Sequence, residues 1–292
     1  FSGHNGGNTR GFHYVQGGYL QKGFEKHGPL SNPYAFGYFP PMPHPDVERF
    51  THNFIVYDGG ALPSHYHGKL FGVEPLQGRV VLSEIQPDRS SFRTKDLSHP
   101  LATSDQWFRP VDIKAGPDGA IYVADWYDRQ VNHYRNHEGE MDKNNGRVYR
   151  LKAKGAKPIK SFDLAKSSAD DLIGLLRRPN KWFRQEALRL LGDRPNPSLA
   201  PRLIRIIETN SGPAALEALW ALHLSGAFHD NAALQFLDHK NPQVRLWTVR
   251  LAGDKPSQAL WGELAAKLAQ VARIEPNVEV RVQLASTAKR LS

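Results

Sequence analysis

Apolar positions alternate every second residue through the first half of the chain and recur every third or fourth through the second half. Within residues 107–151, two alternating runs at 111–113 and 120–124 flank the turn Gly116-Pro117-Asp118-Gly119. Proline presets φ at the second turn position, and Asp-Gly supplies a left-handed corner. The run therefore reads as a β-hairpin. A third strand is expected over 130–134. A fourth is expected over 147–151, after a polar loop in which Asp142, Asn144 and Gly146 read as a turn. Four short antiparallel strands in about 45 residues match one propeller blade.

Residues 51–97 carry a similar set, with strands expected over 53–57, 69–74 and 79–84, and an outer strand over 91–95. Two blades cannot close a propeller, which takes at least about four. The expectation is a partial β-propeller over residues 1–155, its last blades, with the others upstream in a longer parent or supplied by another chain. Residues 1–50 are rich in Gly, Pro and aromatics. They read as loops over one face of the blades, with short strands near 11–19 and 34–38.

A lysine-bearing linker over 156–168 precedes the change of period. From 169 to 292, apolar stripes repeat at helical spacing. One is Phe183, Ala187, Leu190 and Leu191. Its counterparts are Val244, Thr248, Leu251 and Ala252, and Val280, Leu284, Thr287 and Ala288, with a shorter version at Ala215, Leu219 and Leu222. Arg184, Arg245 and Arg281 each follow the first residue of their stripe. Partner helices are expected over 172–176, 199–207, 233–237 and 260–271. Offsets of roughly 30–36 residues, each with a preceding helix, predict paired repeats of HEAT type stacked into an α-solenoid. The fold class is thus β followed by α, in two domains.

The net charge is +9, and 20 basic against 13 acidic residues lie after position 155. That surplus is dispersed over the helices, so it reads as solvated faces and not as a nucleic-acid surface. There is no cysteine. Disulfides, thiolate metal sites and covalent haem through C-x-x-C-H are therefore excluded within this chain. No apolar run approaches the ~20 residues of a membrane span. The sequence begins Phe1-Ser2-Gly3, which suggests a piece of a longer protein or a processed form.

Three stretches together carry a resemblance. They are Asn5-Gly6-Gly7-Asn8-Thr9-Arg10-Gly11, the run from Lys26 through His27-Gly28-Pro29 to Gly37, and residues 107–151. The chain resembles a bacterial family of membrane-bound dehydrogenases that joins a glucose/sorbosone-dehydrogenase-like β-propeller to HEAT repeats, often with a C-terminal cytochrome c. The resemblance covers essentially the whole chain and is strongest over 51–152. It implies an oxidoreductase acting on a sugar or alcohol, a pyrroloquinoline quinone cofactor with calcium, and a periplasmic or cell-envelope location. It also implies that Arg109, in Trp107-Phe108-Arg109-Pro110-Val111-Asp112, pairs with cofactor carboxylates. A second arginine of that clamp would fall at Val111, and a lysine near Leu76 or Gln77, so both are absent here.

The residues also have readings of their own. A guanidinium fork suits carboxylates, so Arg109 could orient a cofactor, with Asp112 in the same motif. Otherwise it could form a salt bridge to Asp112 or Asp105. Asp125 and Trp126 follow a buried strand and could line a propeller mouth or lock the blade by hydrogen bonding. His65 and His67 would face one side of a strand. With Glu74 or Asp58 they could ligate a metal, or they could sit on a surface loop. His133 and His137, among acidic residues, could bind a cation or lie in a solvated loop. No nucleophile–base arrangement is legible. Two functional expectations follow. One is a part of a quinone-dependent sugar or alcohol dehydrogenase, with the HEAT repeats as interaction or spacer module. The other is a non-catalytic propeller–HEAT scaffold that binds protein or carbohydrate.

Overall fold

The computed structural model describes residues 1–3, 9–20, 32–44, 51–129, 142, 144–254 and 262–291. Contacts divide the chain into two compact units. The first holds the sheets up to Lys160, and the second holds the helices from Ser161, together with the short segments Val15–Gly17 and Asn32–Tyr34.

In the first unit, β1 (Gly18–Leu20) and β2 (Gly37–Phe39) form a two-stranded parallel pair. A four-stranded antiparallel sheet follows in simple sequence order: β3 (Phe54–Val56), β4 (Leu70–Glu74), β5 (Arg79–Asp88) and β6 (Ser91–Ala102). All five residues of β4 are buried. It is an inner strand of its sheet, and both its faces are covered. The outer strand expected over 91–95 runs on to Ala102, with register shifts opposite Val80, Leu82 and Ser83.

The second sheet is β7 (Pro110–Ala115), β8 (Ile121–Asp125) and β9 (Arg147–Leu151). The β7–β8 turn is closed by the Gly119 amide donating to Gly116 O at 2.9 Å, with Gly119 at φ +76°. β9 pairs directly with β8, from Ile121 opposite Leu151 to Asp125 opposite Arg147. The strand expected over 130–134 lies outside the described residues. The blade expected to be four-stranded is thus three-stranded among the described residues. Nor do the sheets close on themselves there.

The two sheets share one core, made by Tyr57, Phe71, Val73, Val80, Leu82, Ile113, Ile121 and Val123. Tyr57 is its polar keystone. Its hydroxyl donates to Gly119 O at 2.7 Å and accepts from the Ala61 and Leu62 amides at 2.8 and 2.9 Å. It thereby ties the loop after β3 to the β7–β8 turn. The backbones meet so closely there that a Cβ on Gly119 would lie 2.3 Å from Gly59 O.

The second unit comprises eight α-helices among the described residues: α1 (Ala169–Leu175), α2 (Lys181–Asp193), α3 (Ala200–Thr209), α4 (Pro213–Leu224), α5 (Asp230–Phe236), α6 (Pro242–Ala252), α7 (Glu263–Ile274) and α8 (Val278–Leu291). Starts are locally encoded. Ser168 and Asp171 form a reciprocal capping box on α1, and Asn180 and Asn241 cap α2 and α6. Consecutive helices pack as pairs α1/α2, α3/α4, α5/α6 and α7/α8. The even-numbered helices pack in succession, α2 on α4, α4 on α6 and α6 on α8. The four apolar stripes of the sequence lie on these even-numbered helices, and their residues are largely buried in one continuous core. None of the described helices is long and apolar enough to cross a membrane.

One polar device recurs with the stripes. Arg184 Nη1 donates to the carbonyls six and five residues earlier, Arg178 and Pro179, both at 2.7 Å. Arg245 does the same to His239 and Lys240 at 2.7 and 3.4 Å. Arg281 does so to Glu275 and Pro276 at 3.1 and 3.0 Å. Each arginine satisfies carbonyls in the turn before its own helix, which that helix cannot reach.

Candidate functional site

Arg109 enters the site from the start of β7, and Asp125 from the end of β8, where Pro110 and Asp125 are register partners. Asp125 is buried. Its Oδ1 accepts from the Arg109 amide at 2.8 Å and the Tyr127 amide at 2.9 Å, while the Trp126 amide donates to Arg109 O at 2.9 Å. One carboxylate oxygen therefore holds both ends of the hairpin. It also supports Tyr127 in the left-handed region at φ +57°, a conformation a bulky residue keeps only when its surroundings impose it. The Tyr127 ring stacks on Trp107 at 5.8 Å, and the Arg147 guanidinium lies over that ring at 4.6 Å.

The Arg109 side chain lines a polar cavity of ≈350 Å³ with Gln77, Thr103, Ser104, Asp105, Gln106 and Arg129. Its Nη1 donates to Phe108 O at 2.9 Å and its Nη2 to Arg129 O at 2.7 Å. Its Nε is buried without a hydrogen-bond partner among the described residues. Burial lowers the Arg109 pKa, with Asp128, Asp125 and Asp105 pulling the other way. The salt bridges that offered an alternative role are not the contacts seen, because the guanidinium hydrogen-bonds to backbone carbonyls.

Of the other residues proposed beside Arg109, none lines this cavity. Asp112 Oδ1 accepts from the Asn53 side chain and from the Ile113 amide at 2.9 Å, with Lys114 Nζ at 3.2 Å. It joins β7 to the first residues of the neighbouring sheet. Burial works against its ionised form, but the Ile113 amide, Lys114 and Asn53 bring its carboxyl below the usual range. Asp125 faces the backbone as described. Trp126 is 65% exposed. Arg109, Asp112, Asp125 and Trp126 do not converge on one cavity, since only Arg109 lines it, so together they do not form a quinone clamp.

The metal candidates are separated. His65 and His67 do not sit on a strand. Ser64–Tyr66 forms a 3-10 turn, and both histidines are exposed. At three residues per turn, neighbours two apart point in different directions. Glu74 is wholly buried, with Oε1 held by Arg10 and Oε2 by Arg79 Nε at 2.7 Å. Among the described residues, no group of three His, Asp or Glu side chains could hold a metal ion. His133 and His137 lie outside the described residues.

Sequence reasoning missed the network around Glu74. Arg10 is fully buried and donates to Glu74, Asp96 and Thr51. Ser83 Oγ donates to Asp96 at 2.6 Å, and His44 Nδ1 lies 2.8 Å from Thr94 Oγ1. Partners 64 and 86 residues apart in sequence leave no local signal.

A family model described as a domain of unknown function (DUF7133) matches residues 36–155. No curated protein and no solved structure matches the chain. The matched span includes Arg109, Asp125 and every residue of the polar cavity.

Proposed function

We propose that β3–β9 are blades of a propeller-type sugar or alcohol dehydrogenase of the cell envelope, and that α1–α8 form its HEAT-type solenoid. In this reading the chain supplies a sugar-binding wall and an interaction module. The pyrroloquinoline quinone and calcium implied by the resemblance would be held by residues other than Arg109, Asp112, Asp125 and Trp126. The observation that carries the reading is the lining of the cavity at Arg109: two guanidinium groups, two primary amides, two hydroxyls and one carboxylate. Convergent donors and acceptors of this kind suit a polyhydroxylated ligand, which presents both functions on each hydroxyl.

A second reading, a non-catalytic scaffold for carbohydrate or protein, is favoured by one specific contact pair. Both terminal nitrogens of Arg109 already donate to Phe108 O and Arg129 O. The test uses the full chain, first alone and then with pyrroloquinoline quinone and calcium chloride. Calorimetric titration with a panel of aldoses and alcohols reads binding, and dye reduction reads turnover. Quinone-dependent dye reduction supports the dehydrogenase. Sugar binding weakened about tenfold or more by Arg109→Ala, without dye reduction, supports the scaffold. An outcome with neither binding nor reduction removes the sugar-binding wall on which the dehydrogenase reading and the carbohydrate-scaffold reading both rest.

A further inference from the structure

The turn that leads into β9 holds two asparagines in different chemical situations. Asp142 Oδ1 accepts from the Asn144 amide at 2.9 Å and from the Asn145 amide at 3.2 Å. Its Oδ2 accepts from Asn145 Nδ2 at 2.6 Å. The backbone nitrogen that follows the Asn144 side chain, that of Asn145, is therefore engaged. The nitrogen that follows the Asn145 side chain, that of Gly146, makes no hydrogen bond among the described residues. Asn145 and Gly146 are both exposed and lie outside any strand or helix.

The fold does not require a glycine at 146. Its φ is not in the left-handed region. A Cβ there would meet Asp125 O at 3.5 Å and Trp126 O at 3.9 Å, which are ordinary van der Waals separations. An alanine would therefore fit. What glycine alone supplies is a backbone nitrogen with no Cβ beside it, open to approach by the side-chain amide that precedes it.

We infer that Asn145 is a site of spontaneous deamidation, with the Gly146 amide and water as its reactants. Gly146 N attacks Asn145 Cγ. The N–Cγ bond forms, the Cγ–Nδ2 bond breaks, and Nδ2 leaves as ammonia with the proton that Gly146 N gives up. Water then opens the cyclic imide at either carbonyl, leaving an aspartyl or an isoaspartyl link. No oxidant or reductant takes part. The bond from Nδ2 to Asp142 must open for the ring to close, and one exposed hydrogen bond slows this by no more than about tenfold.

The product no longer suits the turn. Hydrogen bonds from the Asn145 side chain and the Asn144 amide hold the Asp142 carboxyl below the usual range, so it is ionised at neutral pH. A carboxylate at position 145 would face it in place of a donor. The isoaspartyl form also adds a methylene to the main chain just before Arg147. That residue is the register partner of Asp125, and its guanidinium lies over the Tyr127 ring at 4.6 Å. Modification at 145 thereby loosens the start of β9. The inference is independent of what the cavity at Arg109 binds.

The test incubates the full chain at neutral and at mildly alkaline pH and follows residues 144 and 145 by peptide mass spectrometry. Electron-transfer fragmentation separates the two kinds of link, and the chain unfolded in guanidinium gives the reference rate. The expected result is conversion at Asn145 with a native rate within about tenfold of the unfolded one, while Asn144 lags. Conversion should be faster at the higher pH, because Gly146 N must lose its proton to attack. Gly146→Ala should reduce conversion at 145 to the level of Asn144 and leave the thermal melt unchanged. Asp142→Ala, which frees the side chain, should speed it. Hydrogen exchange of the β9 amides should quicken in the aged chain and not in Gly146→Ala treated alike. A native rate below that window, equal conversion at Asn144, or a rate indifferent to Gly146→Ala would overturn the assignment. Unchanged exchange after full conversion would overturn the loosening of β9.

Discussion

Arg245 and Glu275 meet through two hydrogen bonds, Nε to Oε2 at 2.8 Å and Nη2 to Oε1 at 2.7 Å, across 30 residues of sequence. The glutamate side chain is 2% exposed and the arginine side chain 14%. The pair is thus a bidentate clasp between α6 and the turn before α8, largely shielded from water. In such a place removing one partner strands the other.

Arg245→Ala is expected to destabilise the helical unit by about 3 kcal/mol, and Arg245→Lys to recover only part of that loss, since an ammonium cannot reproduce the fork. The pH dependence carries a sign. Hydrogen bonds from Arg245 hold the Glu275 carboxyl below the usual range, against the effect of burial, and the Asn277 amide and the charge of Arg281 add to this. The folded state therefore binds that proton less readily than the unfolded state. The stabilisation is complete above about pH 4.3 and is lost as pH falls through the lowered folded value. Thermal melts followed by far-UV circular dichroism should show an acid limb that is shallower in Arg245→Ala. An identical acid limb in both proteins would disprove the coupling.

Tyr57→Phe keeps the buried ring and removes the hydroxyl that joins the two sheets. The Gly119 carbonyl and the Ala61 and Leu62 amides lose their partner. The expected cost is about 1–3 kcal/mol, measured by chemical denaturation. Burial raises the phenol's pKa, opposed by the Leu62, Ala61 and Gly60 amides, and Asp58 raises it further. Burial and the neighbouring Asp118 raise Tyr122 as well, so an alkaline absorbance titration should show a late-ionising fraction that shrinks in Tyr57→Phe.

Gly119 and Gly60 offer a matched comparison. Both have positive φ, +76° and +91°. A Cβ at Gly119 would strike Gly59 O at 2.3 Å, whereas one at Gly60 meets nothing within 4 Å. Gly60→Ala should cost about 1 kcal/mol, the left-handed penalty alone. Gly119→Ala should cost clearly more, since the Gly59 backbone must also move. Equal losses in a denaturation series would show that the two loops are not packed as described.

Glu74→Ala removes one of the two carboxylates that pair with buried Arg10 and leaves Asp96 as the other, so a loss of about 3 kcal/mol is expected. The double variant His65→Ala, His67→Ala should change stability by no more than about 0.5 kcal/mol. Calorimetry with zinc and calcium gives the second readout. Metal affinity that falls on changing either histidine or Glu74 would contradict the separation of these three residues.

The elements were legible where burial is periodic in the sequence. The stripes on α2, α4, α6 and α8 and the hairpin around Gly116–Gly119 needed only spacing and turn chemistry, because each is set by neighbours within one or two turns of chain. The Asx turn at Asp142 was legible for the same reason: its Oδ1 accepts from the Asn144 and Asn145 amides at 2.9 and 3.2 Å. The histidine pair misled because Pro63 and Gly68 bracket a 3-10 turn, which an i, i+2 spacing cannot distinguish from a strand.

Alternation, helical period and capping residues thus established sheets before residue 160 and paired helices after it, since those signals act through nearest neighbours on the same element. Which polar groups meet was settled by stacking those elements. Arg10 found Glu74 and Asp96, Tyr57 found Gly119, Arg245 found Glu275, and Asp125 turned inward onto the backbone of Arg109 and Tyr127. Apart from the local Tyr127 contact, each of these bonds closes a loop of 16 residues or more around a buried or half-buried polar atom. The need to satisfy that atom is local, but the identity of its partner depends on how distant strands and helices are brought together.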